Sequence, residues 1–137
     1  MKVLISGFRR YEFECNIQGR LEELGYNDIE YLLIPDREKA RTLLGEDKAV
    51  NLMILAGAPA SEFEDENGGP NRETMEYLDL AREYPQIPSI LLVPSTDLAV
   101  LSRVRKKHPP NYSCTFFDFE RIQKDTIEGI VQGHNYD

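Results

Sequence analysis

Short apolar runs alternate along the chain with segments in which apolar residues recur every three or four positions. Five of the runs are continuous, which is typical of parallel strands that helices cover on both faces. They predict strands at residues 3–6, 29–35, 51–57, 87–94 and 113–117. The third run, NLMILAG, is the most hydrophobic, so we expect it at the centre of the sheet.

The segments between these runs have the period of amphipathic helices. Gly25 ends the first of them and can close a helix in a left-handed conformation. Asp36 and Asp118 stand where the N-caps of the second and the last helix belong, because a short carboxylate can accept a bond from a free amide of the first turn. The predicted helices lie at residues 16–24, 36–45, 71–84, 97–108 and 118–132.

Strands that alternate with helices predict a parallel sheet with right-handed crossovers. Five such units in 137 residues predict an α/β fold, a three-layer sandwich whose five-stranded sheet has the flavodoxin-like order 2-1-3-4-5. We expect residues 1–137 to form a single domain, since this is a common domain size. Residues 58–70 form the longest predicted loop, which is polar and acidic; loops of this length are often functional.

The order and spacing of these elements resemble the receiver domains of two-component response regulators over residues 2–132. KVLISGF stands where receivers have a lysine-led strand that ends in two acids, and NLMILAGAP where they have the phospho-accepting aspartate. IPSILLVPS is similar to their fourth strand, which ends in a hydroxyl residue. TFFDFERIQ resembles their turn into the last helix, which contains a lysine.

When the motif positions of that family are placed on this sequence residue by residue, the family's reactive side chains are missing. The paired acids fall on Gly7 and Phe8, the phospho-acceptor on Ala56, the hydroxyl on Val93 and the lysine on Thr115. Phosphoryl transfer to a receiver needs carboxylates for Mg²⁺, a carboxylate nucleophile and a cation. The resemblance therefore implies a pseudo-receiver, which keeps the fold without the phosphorylation site. We predict no catalytic residue, no metal and no cofactor.

The resemblance also implies protein–protein signalling, often through the fourth helix, the fifth strand and the fifth helix. We therefore predict an interaction module that is not an enzyme and that docks on a protein partner or associates with itself. The predicted face comprises Leu98, Arg103, Arg105, Lys106, Lys107, Phe116, Phe117 and Asp118. The cations of this set also fit the solvated C-terminal end of a helix, where positive charge suits the helix dipole.

Two alternatives remain open. The first is a domain that senses or processes a nucleotide or another anion at the carboxyl ends of the strands, with residues 62–66 in the lid. Its site would be lined by Gly7, Phe8, Gly57, Ser95 and Thr96. The second is an intact receiver whose acids come from Glu12, Glu14 or Glu62 and whose hydroxyl comes from Ser95 or Thr96.

Charge and composition restrict the kinds of partner that we expect this chain to bind. The net charge of −8 disfavours nucleic acid, because acidic proteins repel phosphate backbones. No apolar run approaches the ~20 residues that span a bilayer, and the N-terminal run is too short for a secretory signal. We therefore expect a cytoplasmic location, with neither nucleic acid nor membrane as a partner.

The two cysteines, Cys15 and Cys114, are far apart and lack the CxxC spacing, so we expect two buried thiols. The segment CNIQGR, from Cys15 to Arg20, is weakly similar to the phosphate loops of phosphatases. Its spacing is one residue short, and it lies in a helical pattern. We interpret it as a core cysteine and a surface arginine.

Overall fold

The computed structural model describes residues 1–8, 13–46, 49–56, 72–93 and 112–134. Five strands in these residues pair in parallel into one sheet. They are β1 (Lys2–Ser6), β2 (Glu30–Leu33), β3 (Leu52–Ala56), β4 (Ser89–Val93) and β5 (Tyr112–Thr115). The order across the sheet is β2-β1-β3-β4-β5, which confirms the predicted flavodoxin-like arrangement.

The described helices lie between and after these strands. Helix α1 begins as a π-helical segment, Phe13–Gln18, and continues directly as an α-helical segment, Gly19–Glu23. The others are α2 (Arg37–Glu46), α3 (Arg72–Glu83), the short α4 (Phe116–Phe119) and α5 (Lys124–Val131). None of the helices in the described residues is long and apolar enough to cross a membrane. The loop predicted at 58–70 and the helix predicted at 97–108 lie outside these residues.

Alternate residues of the strands pack on opposite faces of the sheet, and each face has its own apolar cluster. Ile5 and Ile54 belong to the cluster that α1, α4 and α5 cover. Leu4 and Met53 belong to the cluster that α2 and α3 cover. All of β3 is buried and it lies between β1 and β4, so the prediction of a central third strand is confirmed. Removal of apolar surface from water, worth about 25 cal/mol per Å², holds the three layers together.

Two of the predicted helix boundaries are confirmed by their hydrogen bonds. Gly25 has a φ of 94°, and its amide donates to the carbonyl of Glu22 over 3.0 Å. The Tyr26 amide donates to the carbonyl of Leu21 over 3.0 Å, which completes the left-handed closure of α1. At the start of α2, the amide of Lys39 donates to Oδ1 of Asp36 over 3.0 Å. Backbone amides at Gly25 and Tyr26, and the side chain of Asp36, therefore satisfy backbone groups that a helix end leaves free.

Other predicted boundaries are wrong. Strand β5 ends at Thr115, and Phe116 and Phe117 begin α4 instead of extending the strand. The reason is a side-chain bond: the Asp118 amide donates to Oγ1 of Thr115 over 3.0 Å, which starts a helical turn. Asp118 therefore lies inside α4 and does not cap the last helix. Helix α5 begins after Gln123.

Strand β2 is anchored to helix α1 by an aromatic pair. The rings of Phe13 and Tyr31 meet edge to face, with centroids 5.0 Å apart and planes at 70°. The buried Tyr31 hydroxyl has no hydrogen-bond partner in the described part of the chain. Burial, and secondly the negative charge of Glu22, raise the pKa of Tyr31 to about 12.

We expect Asp36→Ala to lower the free energy of unfolding by about 0.5–2 kcal/mol, because α2 loses its N-cap. Urea denaturation at neutral pH measures this loss. Asp28→Ala is the matched control, since Asp28 is exposed and carries the same charge. Equal losses in the two variants would contradict the capping role of Asp36.

The buried hydroxyl of Tyr31 predicts a pH dependence of stability. Because burial raises the pKa of Tyr31 to about 12, above the ordinary value of about 10, its contribution is complete below about pH 10 and is lost as the pH rises through about 12. We expect the free energy of unfolding to fall less steeply with rising pH in Tyr31→Phe than in the unchanged protein, because phenylalanine keeps the ring but cannot ionise. Urea denaturation on both sides of about pH 10 compares the slopes. Identical slopes would contradict this assignment.

Candidate functional site

The carboxyl ends of β1, β3, β4 and β5 meet at one edge of the sheet, which we call the strand-end edge. The register pairs Ser6 with Leu55 and Ala56 with Leu92. It also pairs Val93 with Thr115 on the next strand. Ligands of open α/β sheets bind at this edge, near the point where the strand order reverses. The positions predicted from the sequence are therefore brought together here.

The backbones of Gly7 and Ala56 approach each other so closely that a side chain at position 7 has no room. Gly7 has a φ of 90°, a left-handed conformation that residues with a Cβ rarely adopt. A Cβ added there would overlap the carbonyl oxygen of Ala56. Glycine is therefore required at this position both by the turn and by the close approach.

Phe8 turns its side chain into the core. Only 2% of its surface is exposed, and it belongs to the same apolar cluster as Ala56, Leu92 and Phe119. A buried aromatic ring stabilises the fold through the area that it removes from water. The first alternative places Phe8 in the lining of a ligand site; its side chain is buried in this cluster, and most of the other residues of that alternative lie outside the described part, so the alternative stays a prediction.

The other three positions predicted from the receiver resemblance are Ala56, Thr115 and Val93. Ala56 is buried in the core. Thr115 is half-buried, and its Oγ1 accepts the bond from the Asp118 amide that starts α4. Val93 is the last residue of β4, and the structure describes its backbone only. Among the residues that the structure describes, no three histidine, cysteine or acidic side chains are grouped to hold a metal ion.

A pair of buried hydroxyl groups, which no pattern in the sequence indicates, lies next to this edge. Ser6 Oγ lies 3.2 Å from the hydroxyl of Tyr77 on α3, and that hydroxyl donates to the carbonyl of Pro35 over 3.3 Å. Since the Tyr77 proton goes to Pro35, Ser6 is the donor of the first bond. The guanidinium of Arg37 lies over the Tyr77 ring, 5.8 Å from its centroid, and pairs with Glu76. These contacts fasten the end of β1 to α3 and to the turn after β2.

Most of the predicted interaction face lies outside the described residues. This applies to Leu98, Arg103, Arg105, Lys106 and Lys107. Phe116 and Phe117 are placed in α4 by their backbones, and Asp118 is exposed. The face therefore stays a prediction, with one of its side chains placed at the surface.

The residues named for the alternatives are also mostly outside the described part. Gly57, Ser95 and Thr96 lie there, as do Glu12 and Glu62. Glu14 is described and exposed, on the π-helical segment of α1. The structure gives no grouping of acids to which Glu14 belongs within its described residues.

The interpretation of the segment from Cys15 to Arg20 is wrong on both counts. Cys15 is exposed and only Cys114 is buried, because Phe13 and Ile17 form the buried face of α1 and Cys15 lies between them in sequence, on the other side of the helix. The Arg20 side chain is only 18% exposed. Its guanidinium donates to the carbonyl of Ile122 over 2.6 Å.

We expect Gly7→Ala to lower the free energy of unfolding by more than Gly133→Ala does. Both glycines have a φ of 90°, so both variants pay the conformational strain, which is of order 1–3 kcal/mol. A Cβ at Gly133 meets no atom of the described residues within 4 Å, whereas one at Gly7 overlaps Ala56. Urea denaturation of the two variants isolates the overlap, and equal losses would contradict the close approach at the strand-end edge.

No protein-family model matches this chain, and no curated protein matches it. Solved structures do share its fold. The RcsB response regulator from Salmonella typhimurium matches with a TM-score of 0.69 and 14% sequence identity, over 100% of this chain and 62% of that one. The chain therefore spans less than two thirds of that response regulator.

Two further matches are single domains. The isolated receiver domain of RcsB from Salmonella enterica, in the presence of the phosphomimetic BeF3⁻, has a TM-score of 0.65 at 14% identity, over 99% of this chain and 91% of that one. The N-terminal domain of a response regulator/sensory box/GGDEF protein from Carboxydothermus hydrogenoformans has a TM-score of 0.65 at 13% identity, over 96% and 94%. The chain therefore has the fold of response-regulator receiver domains, and identities this low show the fold alone.

Proposed function

We propose that this chain is a signalling module of receiver fold that acts by contact with a protein partner, or with a second copy of itself, without phosphorylation. Solved structures of the same fold are response regulators and their domains, which supports a role in signalling. The observation that carries the proposal is the filled strand-end edge. There, the Gly7 backbone lies against Ala56 and the Phe8 ring is buried in the core.

The filled edge matters because phosphorylation of an aspartate needs several charged groups in one place. Mg²⁺ takes carboxylates and waters in octahedral geometry, and the transferred phosphoryl group needs a nucleophile and a compensating cation. Positions 7, 8 and 56 carry a glycine and two buried apolar side chains. A carboxylate introduced at position 56 would be buried among apolar groups, which strongly disfavours its charged form.

The module would contact its partner through the face predicted from the sequence, at residues 98–132. Two features of the described residues suit that role: Asp118 is exposed, and helix α5 presents an exposed side that includes Lys124, Asp125 and Glu128. The same proposal includes two expectations from the sequence: the module is not an enzyme, and it acts in the cytoplasm.

An amide NMR titration of the ¹⁵N-labelled chain with Mg²⁺ and then BeF3⁻ tests the proposal. We expect no saturable shifts at residues 6–8, 55–56 or 112–115, because the groups that would hold these ions are replaced. The isolated receiver domain of RcsB, whose structure was obtained with BeF3⁻ present, is the positive control. Saturable shifts at the strand-end edge, or incorporation of phosphate from acetyl phosphate, would overturn phosphorylation independence.

The same titration, continued with a mixture of nucleotides, tests the small-ligand alternative. We expect no response at the strand-end edge, since the Phe8 side chain is buried in the core. Chemical shifts that move with protein concentration in the absence of any ligand would identify self-association as the mode of contact. Shifts that are independent of concentration would direct the search to a different protein as the partner.

A further inference from the structure

A groove of about 280 Å³ lies on the surface beside helix α1, and none of its residues belongs to the strand-end edge. The π-helical segment, the first α-helical turn and the residue after α4 form its walls. Its lining is almost entirely polar: Cys15, Asn16, Gly19, Arg20, Glu23 and Glu120. A groove of this size suits a small polar molecule, because ligand sites for larger molecules are bigger and mostly apolar.

Gly19 lies within helix α1, although none of the described residues around it demands glycine there. Its φ is not in the left-handed region, unlike those of Gly7 and Gly25. An added Cβ would make only an ordinary contact, 3.6 Å from the carbonyl oxygen of Glu14. Glycine inside a helix is nevertheless less favourable than alanine. Gly19 lines the groove together with Cys15 and Arg20, so the missing side chain leaves space there.

Two further features at the same place depart from what a helix prefers. The chain from Phe13 to Gln18 is π-helical, a rare conformation that occurs frequently at functional sites. The buried Nε of Arg20 has no hydrogen-bond partner among the described residues, although a buried donor normally has one. Local preferences that are violated without a structural gain are expected at functional sites. Three such departures meet at this groove.

The charges of the groove define the ligand. Arg20 contributes one positive charge, and Glu23 and Glu120 contribute two negative charges. The Arg20 guanidinium donates through Nη2 to Ile122 and through Nη1 to Glu23, over 2.6 and 3.1 Å. A guanidinium has five N–H groups, so one N–H remains on each terminal nitrogen, and this pair can bind a carboxylate.

We propose that this groove binds a small cationic amino acid, of which free lysine is the simplest probe. Its carboxylate would contact Arg20, and its two ammonium groups would contact Glu23 and Glu120. The sum of these charges is neutral when the groove is occupied. Because the ligand is small and the groove is open to solvent, we expect a Kd on the order of millimolar.

The decisive variant is Gly19→Ala, for which the proposal predicts opposite effects on stability and on binding. The added methyl group raises helix propensity, so Tm should rise by about 2–5 °C. Because Gly19 lines the groove, we expect the added methyl group to narrow it, so the affinity for lysine should fall at least about tenfold, a change typical of a lost pocket contact. An NMR titration with lysine, and thermal denaturation of both proteins, measure these effects. Unchanged affinity in a folded Gly19→Ala protein would overturn the proposal.

Carboxylate variants test the charge assignment. Glu120→Gln removes one of the groups assigned to the ammonium groups and should weaken lysine binding several-fold with no change in Tm. Glu22→Gln is the matched control, because Glu22 is exposed on α1, next to the groove residue Glu23, but does not itself line the groove. Equal effects of the two variants would show that lysine responds only to the general negative charge of the surface, which would overturn the assignment.

The exposed thiol of Cys15 provides an independent readout, since Cys114 is buried. Saturating lysine should slow the alkylation of Cys15 in proportion to the occupancy measured by NMR. Butylamine, which lacks the carboxylate, and inorganic phosphate, which lacks the ammonium groups, should protect Cys15 far less. Equal protection by either of them, or no shift at the groove with tens of millimolar lysine, would overturn the proposal.

Discussion

The contact between the backbones of Gly7 and Ala56 is the constraint on which the rest of this structure depends. The two strands that lead into it, β1 and β3, form the centre of the sheet together with β4. Because position 7 has no side chain, the chain can turn sharply there and direct Phe8 back into the core. The ring of Phe8 then fills part of the apolar cluster that α1, α4 and α5 cover. A single glycine thus decides both how the strands end and what fills the edge where a ligand would be expected.

On the opposite face of the sheet, which has its own apolar cluster, hydrogen bonds also fix the end of β1. Ser6 and Tyr77 share a buried hydrogen bond, and Tyr77 continues it to the carbonyl of Pro35. Buried polar groups that are fully satisfied make the arrangement around them specific, because any displacement leaves a donor or an acceptor unpaired. The end of β1 is therefore fixed on one face by apolar packing and on the other by directional bonds. A strand end fixed in this way has one defined position relative to the helices on both faces.

A receiver fold does not by itself supply the chemistry of phosphorylation. A fold places the carboxyl ends of its strands together, but the side chains at those ends decide the chemistry. Among the described residues, the strand-end edge holds Gly7, Phe8 and Ala56 beside the hydroxyl groups of Ser6 and Thr115. The groove next to Gly19 on α1 is lined by polar and charged side chains. The first observation supports the proposed function, and the second supports the proposed lysine site.

The sequence by itself determined the layers, the strand order and the caps at Gly25 and Asp36. These features depend on local patterns: the period of apolar residues, the turn preference of glycine and the reach of a short carboxylate. It also placed glycine, phenylalanine and alanine at the strand ends. Only the tertiary structure decided the bond between Ser6 and Tyr77, the end of β5 at Thr115 and the exposure of Cys15. Each of these depends on which distant groups meet, or on competition between equally good local choices, and the pattern of one sequence does not record that outcome.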